Sequence, residues 1–346
     1  MRVAILGGGF CGSRISLQLE EMKDISVTLI DKNPFFEYNP SAIKCITNPG
    51  YQQNIQVPFN RFLSKTTIIT DTIEKIFPSE IMTKNHRVEY DYAVICFGCS
   101  YPILLSNTEN VYTLTRSKEA KELFNALKTA KSVIIVGGGY IGTEIASELA
   151  LKRKDLQITM VHPHDRILKR NTSYVSRYVT NFLQKNGVNF VFNEKIVDHP
   201  SSNEFITKTG KKLVADVCIW CTGISIDTSC LEGFIPESVD EKRKIKVNES
   251  LQLLQYPHIF AGGDVTAINE EKTARKAELH ADIIATNIIR INQGKSLVNY
   301  SSGTSPMIIS LGDNRGVGSY GRLSMPGFLS GVGKWLIEWW TLRQFY

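Results

Sequence analysis

Arg2-Val3-Ala4-Ile5-Leu6-Gly7-Gly8-Gly9-Phe10-Cys11-Gly12 and Ser132-Val133-Ile134-Ile135-Val136-Gly137-Gly138-Gly139-Tyr140-Ile141-Gly142 carry one pattern twice, 130 residues apart. Each is a short apolar strand, a GxGxxG loop, and an amphipathic stretch that reads as a helix, to about Met22 and to about Arg153. A lone GxGxxG is weak evidence, but between a strand and a helix it has the context of a dinucleotide-binding turn. Gly7 and Gly137 allow the tight turn, Gly9 and Gly139 admit a pyrophosphate to the backbone, and Gly12 and Gly142 let the helix pack closely on the sheet. The helix N-terminus then stabilises the phosphate charge. Gly8, Phe10, Tyr140 and Ile141 complete the two loops.

The repeat extends beyond the loops. A second apolar strand follows each, Ser26 to Asp31 and Gln157 to His162, and each half closes on an apolar strand and a glycine turn, at Gly98 and at Gly223. First glycine to closing glycine spans 91 residues in one half and 86 in the other. The expected fold class is α/β, with two Rossmann-like dinucleotide-binding domains, the second inserted in the first. Its bounds are 1–110 and 241–298 for the outer domain, 111–240 for the inserted one, and 299–346 for a C-terminal segment.

The residue that ends the second strand distinguishes the halves. Asp31, nineteen residues beyond Gly12, can accept both hydroxyls of an adenosine ribose, which suits FAD or NAD and repels a 2′-phosphate. His162 stands at the matching position, with His164, Arg166, Lys169 and Arg170 after it and Asp165 as the one acid, which leans toward NADPH or use of both NADPH and NADH. A solvated helix start explains the same cations. Tyr256 to Asp264 is a short apolar strand delivering Asp264 after small residues, where it can meet the ribityl and pyrophosphate of a long cofactor; this assigns FAD to the first half. A helix from about Thr273 to Ile291 follows.

With 346 residues, 42% hydrophobic and 21% charged, the chain has the composition of a globular protein. Forty Lys and Arg against thirty-four Asp and Glu leave +6, which suits phosphate-bearing cofactors or an anionic membrane surface. The excess is too small and scattered for a nucleic-acid footprint, so no specific nucleic acid is expected. Seven cysteines suggest a reducing compartment. The first strand starts at Arg2, so neither a targeting peptide nor the glycine needed for N-myristoylation is expected, and no run of eighteen apolar residues could span a membrane. A cytoplasmic location follows, peripheral on a membrane or lipid droplet if the C-terminus binds lipid.

Cys96-Phe97-Gly98-Cys99 and Cys218-Ile219-Trp220-Cys221 are CxxC motifs, the pattern of a zinc site or a redox disulfide. They fall on the closing strands of the two repeats, where alternation directs Cys218 and Cys221 to opposite faces, and a structural role is the expectation. No metal site is expected. Hydride passes between cofactor rings that the protein only stacks and orients. Glu144, in the first turn of the second helix, is the candidate group at the nicotinamide, and Lys272 the candidate donor to the flavin or acceptor; a helix-terminal carboxylate and a surface lysine are the bland readings.

Met325 to Tyr346 holds three of the four tryptophans. From Lys334 onward Trp335, Leu336, Trp339, Trp340, Leu342 and Phe345 fill much of a helix, which suits the interfacial zone of a bilayer. Packing against the first domain and a homodimer contact are the other two uses.

Gly7-Gly8-Gly9-Phe10, the Val161-His162 strand end, Lys272 to Asn287 and Ser310 to Gly318 together resemble the apoptosis-inducing factor 2, or ferroptosis suppressor, family of two-dinucleotide flavoproteins, related to type II NADH dehydrogenases. The resemblance implies an FAD-dependent NAD(P)H:quinone oxidoreductase that makes radical-trapping hydroquinones from ubiquinone- or vitamin K-like quinones. It also implies Lys44 near the FAD phosphates and Ile73 at the adenine through its backbone. The chain departs from the animal proteins in lacking the myristoylation signal and in its tryptophan-rich end. Cys45 stands alone where the glutathione-reductase branch has two cysteines. Electron delivery to a small redox protein and a signalling role with a structural flavin are the rival functions.

Overall fold

The computed structural model describes residues 1–232, 236–321 and 323–345. Its centre is two five-stranded parallel sheets of the same design. The first runs, edge to edge, Ile259–Ala261, Tyr92–Ile95, Arg2–Leu6, Ser26–Asp31, Thr67–Thr70. The second runs Val111–Tyr112, Val217–Trp220, Ser132–Val136, Gln157–His162, Val188–Phe192. Central strands of a parallel sheet are covered on both faces and so read as unbroken apolar runs. Ile5, Leu6, Leu29, Ile30, Ile135 and Val161 are accordingly sealed from solvent.

Ile259–Ala261 returns to the edge of the first sheet after the second sheet is complete, so the second unit is inserted in the first. The closing turns meet where the units join: Ser100 and Ser225 exchange both backbone N–H···O=C bonds at 2.9 Å. Each unit also carries a three-stranded antiparallel meander, Ile73–Ile76, Glu80–Thr83, Arg87–Glu89 in one and Ile196–Ser201, Glu204–Thr207, Lys212–Val214 in the other. The first glycine-loop helix, Phe10–Leu19, ends three residues short of the expected Met22; the second, Tyr140–Lys152, ends one short of Arg153. Thr273 caps the helix Ala274–Asn292 by accepting from the Lys276 N–H.

The last fifty residues add what neither repeat contains. Met307–Ser310, Gly316–Tyr320 and Leu323–Gly327 form an antiparallel sheet, and the helix Phe328–Arg343 packs on it. The helix starts six residues before the expected Lys334, because Gly331 lets it close on the Asn314–Arg315 turn: a Cβ there would lie 2.6 Å from the Asn314 carbonyl carbon. Tyr346 lies outside the described residues. Among the described residues no helix is long and apolar enough to cross a membrane.

Candidate functional site

The two glycine loops superpose in their chemistry. Gly7 and Gly137 have φ of +101° and +112°, the region that side chains rarely enter. A Cβ on Gly12 would sit 1.9 Å from the Gly7 oxygen, and one on Gly142 would sit 2.0 Å from the Gly137 oxygen, so both helices need glycine to reach their loops. Gly9 and Gly139 face open space, with no atom within 4 Å of an added Cβ. Both helices begin at those glycines with no side-chain cap and no acid in the first turn; Glu144, expected there, is the fifth residue of Tyr140–Lys152 and so lies in the second turn. Free N–H groups behind an open glycine make a phosphate cradle, and the residues present fit a dinucleotide in each half.

The strand-end residues occupy equivalent positions with opposite chemistry. The Gly8 N–H donates to Asp31 Oδ2 at 2.7 Å, and the Gly138 N–H donates to His162 Nδ1 at 3.0 Å. One is a carboxylate side chain and the other an imidazole. Burial, helped by His164 and Lys169, pushes the His162 pKa down to about 4, and a ring whose Nδ1 accepts a hydrogen bond is neutral. Positive charge in the second half therefore comes from its neighbours. Arg166 donates to the Lys169 carbonyl at 3.1 Å, Lys169 Nζ lies 3.3 Å from His164 Nδ1, and the exposed Arg170 pairs with Glu271 at 2.7 Å.

The candidate chemical groups are each held by protein partners. Glu144 is buried, and its Oε1 takes the Ser310 N–H at 2.7 Å and the ammonium of Lys334. Lys272 is pinned rather than free at the surface: its ammonium donates to the Thr266 carbonyl at 2.8 Å, the Thr266 hydroxyl at 3.1 Å and the Ile268 carbonyl at 3.3 Å, and burial lowers its pKa. Asp264 follows Gly263, whose φ is +81°; surrounding protein pushes its pKa up while the Cys99 thiol, at 3.2 Å, works against that. Gly98 faces open space, and Gly223 turns at φ +78° against Pro102. Ile73 opens the first meander, opposite Thr83. Phe10 packs edge-on against Phe36 and Tyr38.

Lys44 is held by protein groups. Its ammonium donates to Tyr51 Oη at 2.8 Å and to Glu338 Oε2 at 2.9 Å. Burial opposes that charge, but the two partners outweigh it and raise its pKa. Glu338 also accepts from the Ser41 hydroxyl at 2.7 Å and from the Tyr51 hydroxyl. Sequence reasoning missed this cluster. Its signal was a lone acid, one turn after Lys334, inside a stretch of tryptophans.

The last helix thus turns Lys334 and Glu338 inward and its apolar face, with Arg343, outward. Glu338 is 5% exposed and Leu342 and Phe345 are buried, whereas Trp335, Trp340, Phe328 and Leu329 are 55%, 65%, 62% and 66% exposed. Phe345 stacks on Phe36 at 4.3 Å and meets Phe62 at 4.8 Å, which ties the chain end to the first glycine loop through Phe10. All seven cysteines are free thiols; Cys45 is buried, and burial pushes its thiol up to about 12.

The chain belongs to the pyridine nucleotide-disulphide oxidoreductases, whose family profile matches residues 1–281. It is therefore an oxidoreductase that works with a flavin and a nicotinamide nucleotide. Among curated proteins it is 26% identical to apoptosis-inducing factor homolog A of Dictyostelium discoideum, over 92% of this chain and 87% of that one. It is 27% identical to ferroptosis suppressor protein 1 of Xenopus tropicalis, over 92% and 88%. The resemblance to these proteins thus holds along nearly the whole chain. Among solved structures, the sulfide:quinone oxidoreductase of Aquifex aeolicus aligns with a TM-score of 0.87 at 18% identity, over 99% of this chain and 91% of that one. The NDH2 of Plasmodium falciparum in complex with NADH aligns with 0.87 at 16% identity, over 99% and 94%. At those identities the two structures speak for the fold.

Proposed function

We propose that the chain is an FAD-dependent NAD(P)H:quinone oxidoreductase that meets its acceptor at a lipid surface. FAD lies in the first half and the nicotinamide cofactor in the second, NADPH and NADH both being accepted because neutral His162 neither repels a 2′-phosphate nor demands one. A bound flavin supplies the redox chemistry, taking a hydride from the reduced nicotinamide and giving the electrons to the acceptor. The chain's own residues bind and orient. Asp31 holds the adenosine ribose, the Gly9 and Gly139 cradles hold the pyrophosphates, Asp264 meets the ribityl chain, and Glu144 fixes the nicotinamide. Lys272, tethered by three oxygens, is a fixed positive charge beside the flavin.

The observation that carries the acceptor is the last helix. Exposed Trp335, Trp339 and Trp340 beside Leu329 and Phe328 form an apolar face, with the exposed cations Arg315 and Arg343 near it and the one acid of the helix, Glu338, buried inside. An apolar, cationic surface suits a bilayer with anionic headgroups, where a quinone with a lipid tail is dissolved. Cys45, a lone and protonated thiol, offers no disulfide to receive the electrons. The sulfide:quinone oxidoreductase that shares the fold handles a quinone by name. Hydroquinone made at a membrane would act there as a radical trap, in keeping with the ferroptosis suppressor relatives.

The test is anaerobic titration with NADPH and NADH, followed by a panel of soluble and lipid-tailed quinones. Bleaching of the flavin band by both nucleotides and its return on adding quinone are expected. A flavin that neither nucleotide bleaches, or that no quinone reoxidises, would refute the reading.

A further inference from the structure

Quinone reduction by NAD(P)H consumes a proton: NAD(P)H, one H⁺ and a quinone give NAD(P)⁺ and a hydroquinone. The hydride brings two electrons and one hydrogen, so the second hydrogen arrives as a proton from water. Glu144, the candidate group at the nicotinamide, is buried beneath the last helix, and that proton has to pass the cover.

We infer that Lys44, Tyr51 and Glu338 form the path by which this proton enters; the inference rests on the quinone reading above. The outer end of the path is wet. Lys44 and Tyr51 line a cleft of about 440 Å³ together with Thr47, Glu148 and Lys152, and the Lys44 side chain is 28% exposed. Its inner end is dry, since the Glu338 side chain is 6% exposed. Donors run unbroken from one end to the other. The Lys44 ammonium donates to Tyr51 Oη at 2.8 Å and directly to Glu338 Oε2 at 2.9 Å, the Tyr51 hydroxyl donates to Glu338 Oε1, and the Ser41 hydroxyl donates to Oε2 at 2.7 Å, so two branches, one through Tyr51, end on Glu338. Glu338 is one helical turn, about 6 Å along the axis, from Lys334, whose ammonium sits on Glu144. The dry end therefore lies on the same helix face as the cation that holds the group assigned to the nicotinamide.

The transfer balances. Tyr51 gives its hydroxyl proton to the Glu338 carboxylate, takes one from the Lys44 ammonium, and Lys44 regains one from cleft water. The O–H bond formed on Glu338 breaks when the proton passes to the quinone oxygen, and the carboxylate is restored. Pinning the helix needs no such cluster, because Leu342 and Phe345 already anchor it and a buried ion pair is a poor substitute for apolar packing.

Two acceptors separate a relay from a pin. Ferricyanide takes electrons without protons, whereas benzoquinone needs both. In the flavin-loaded full chain, Glu338→Gln, which removes the end of both branches, should slow benzoquinone turnover by about tenfold or more, and Tyr51→Phe, which removes one, by less. Flavin bleaching by NADPH and ferricyanide turnover should stay within about twofold of wild type. The solvent deuterium isotope effect on the quinone step should rise in Tyr51→Phe, and Glu338→Asp should recover part of the rate. Equal loss with both acceptors, loss of bound flavin by both variants, or unchanged quinone turnover would each overturn the relay. A wild-type protein that NADPH bleaches but no quinone reoxidises would instead sink the quinone reading and the relay with it.

Discussion

Replacing Gly142 by alanine should separate the two cofactors. The new Cβ would fall 2.0 Å from the Gly137 oxygen, so the helix start must retreat by about 1.4 Å before ordinary contact is reached. Overpacking of this kind costs about 1–3 kcal/mol. Here the strain falls on the loop and helix terminus that would hold a pyrophosphate, so binding should weaken by a similar amount, about 5- to 150-fold in Kd. Gly12→Ala imposes the same clash, 1.9 Å from the Gly7 oxygen, on the first loop. The assay is bound flavin per chain from the visible spectrum, then anaerobic bleaching against NADPH and NADH concentration, with dithionite as the chemical control. Gly142→Ala should keep its flavin, bleach fully with dithionite, and need the larger nucleotide concentration. Gly12→Ala should purify with little flavin. The reverse pattern would mean that the halves are assigned the wrong way round. Two variants that both bind flavin and bleach at wild-type concentrations would refute the cradle reading altogether.

His162 and the acid limb of stability are linked. Its folded pKa of about 4 lies below the unfolded value of 6.5, so the unfolded chain binds more protons between those two values and stability is lost as pH falls from 6.5 toward 4. His162→Asn keeps an acceptor for the Gly138 N–H without a titrating ring; its melting temperature should fall less over that window, and an identical slope would show the shift to be absent. Phe345→Ala removes a ring that is 4% exposed between Phe36 and Phe62, at a cost of about 3–5 kcal/mol. Hydrogen exchange should quicken in the last helix before it does in the second sheet, and uniform quickening would deny the helix its separate anchor. Trp335→Ser, Trp339→Ser and Trp340→Ser together remove exposed rings, so melting should barely move while sedimentation with anionic liposomes is lost. Retained binding would place the lipid contact elsewhere.

The parts of the fold legible in the sequence are those governed by local rules repeated twice. Arg2–Leu6 and Ser132–Val136 are apolar because both faces of a parallel strand are covered, and their glycines follow from turns that tolerate nothing larger. The meanders were not legible: strands such as Ile73–Ile76 and Lys212–Val214 are three or four residues of mixed polarity, below the length at which alternation speaks. The start of the last helix was hidden by glycines that serve packing: Gly331 approaches the Asn314–Arg315 turn and Gly333 faces Ile308. Asp31 and His162 were legible as strand ends. That the imidazole is neutral was not, because its burial depends on packing made by distant residues. Lys44 illustrates the deeper limit. Its partner Glu338 lies 294 residues away, and only the folded chain brings the two together.

A duplicated unit supplies two cradles but no reason for electrons to leave by a particular door. In the repeats the matching residues serve matching ends: Gly8 with Asp31, Gly138 with His162, Ser100 with Ser225. The asymmetry comes from the segment that has no counterpart. Both hydrogen bonds to Glu144 Oε1 originate there, from Ser310 and Lys334; so does the carboxylate on Lys44; so does the ring on Phe36. Lys334 and Glu338, four residues apart on one face, reach the inserted unit and the outer unit respectively, and the opposite face carries the exposed tryptophans. Whatever surface holds that outer face also holds the two charged residues in place. Under the function proposed above, the choice of acceptor lies in the unrepeated residues from 307 onward, and a relative that keeps both cradles but replaces this segment would be expected to keep the cofactors and change the acceptor.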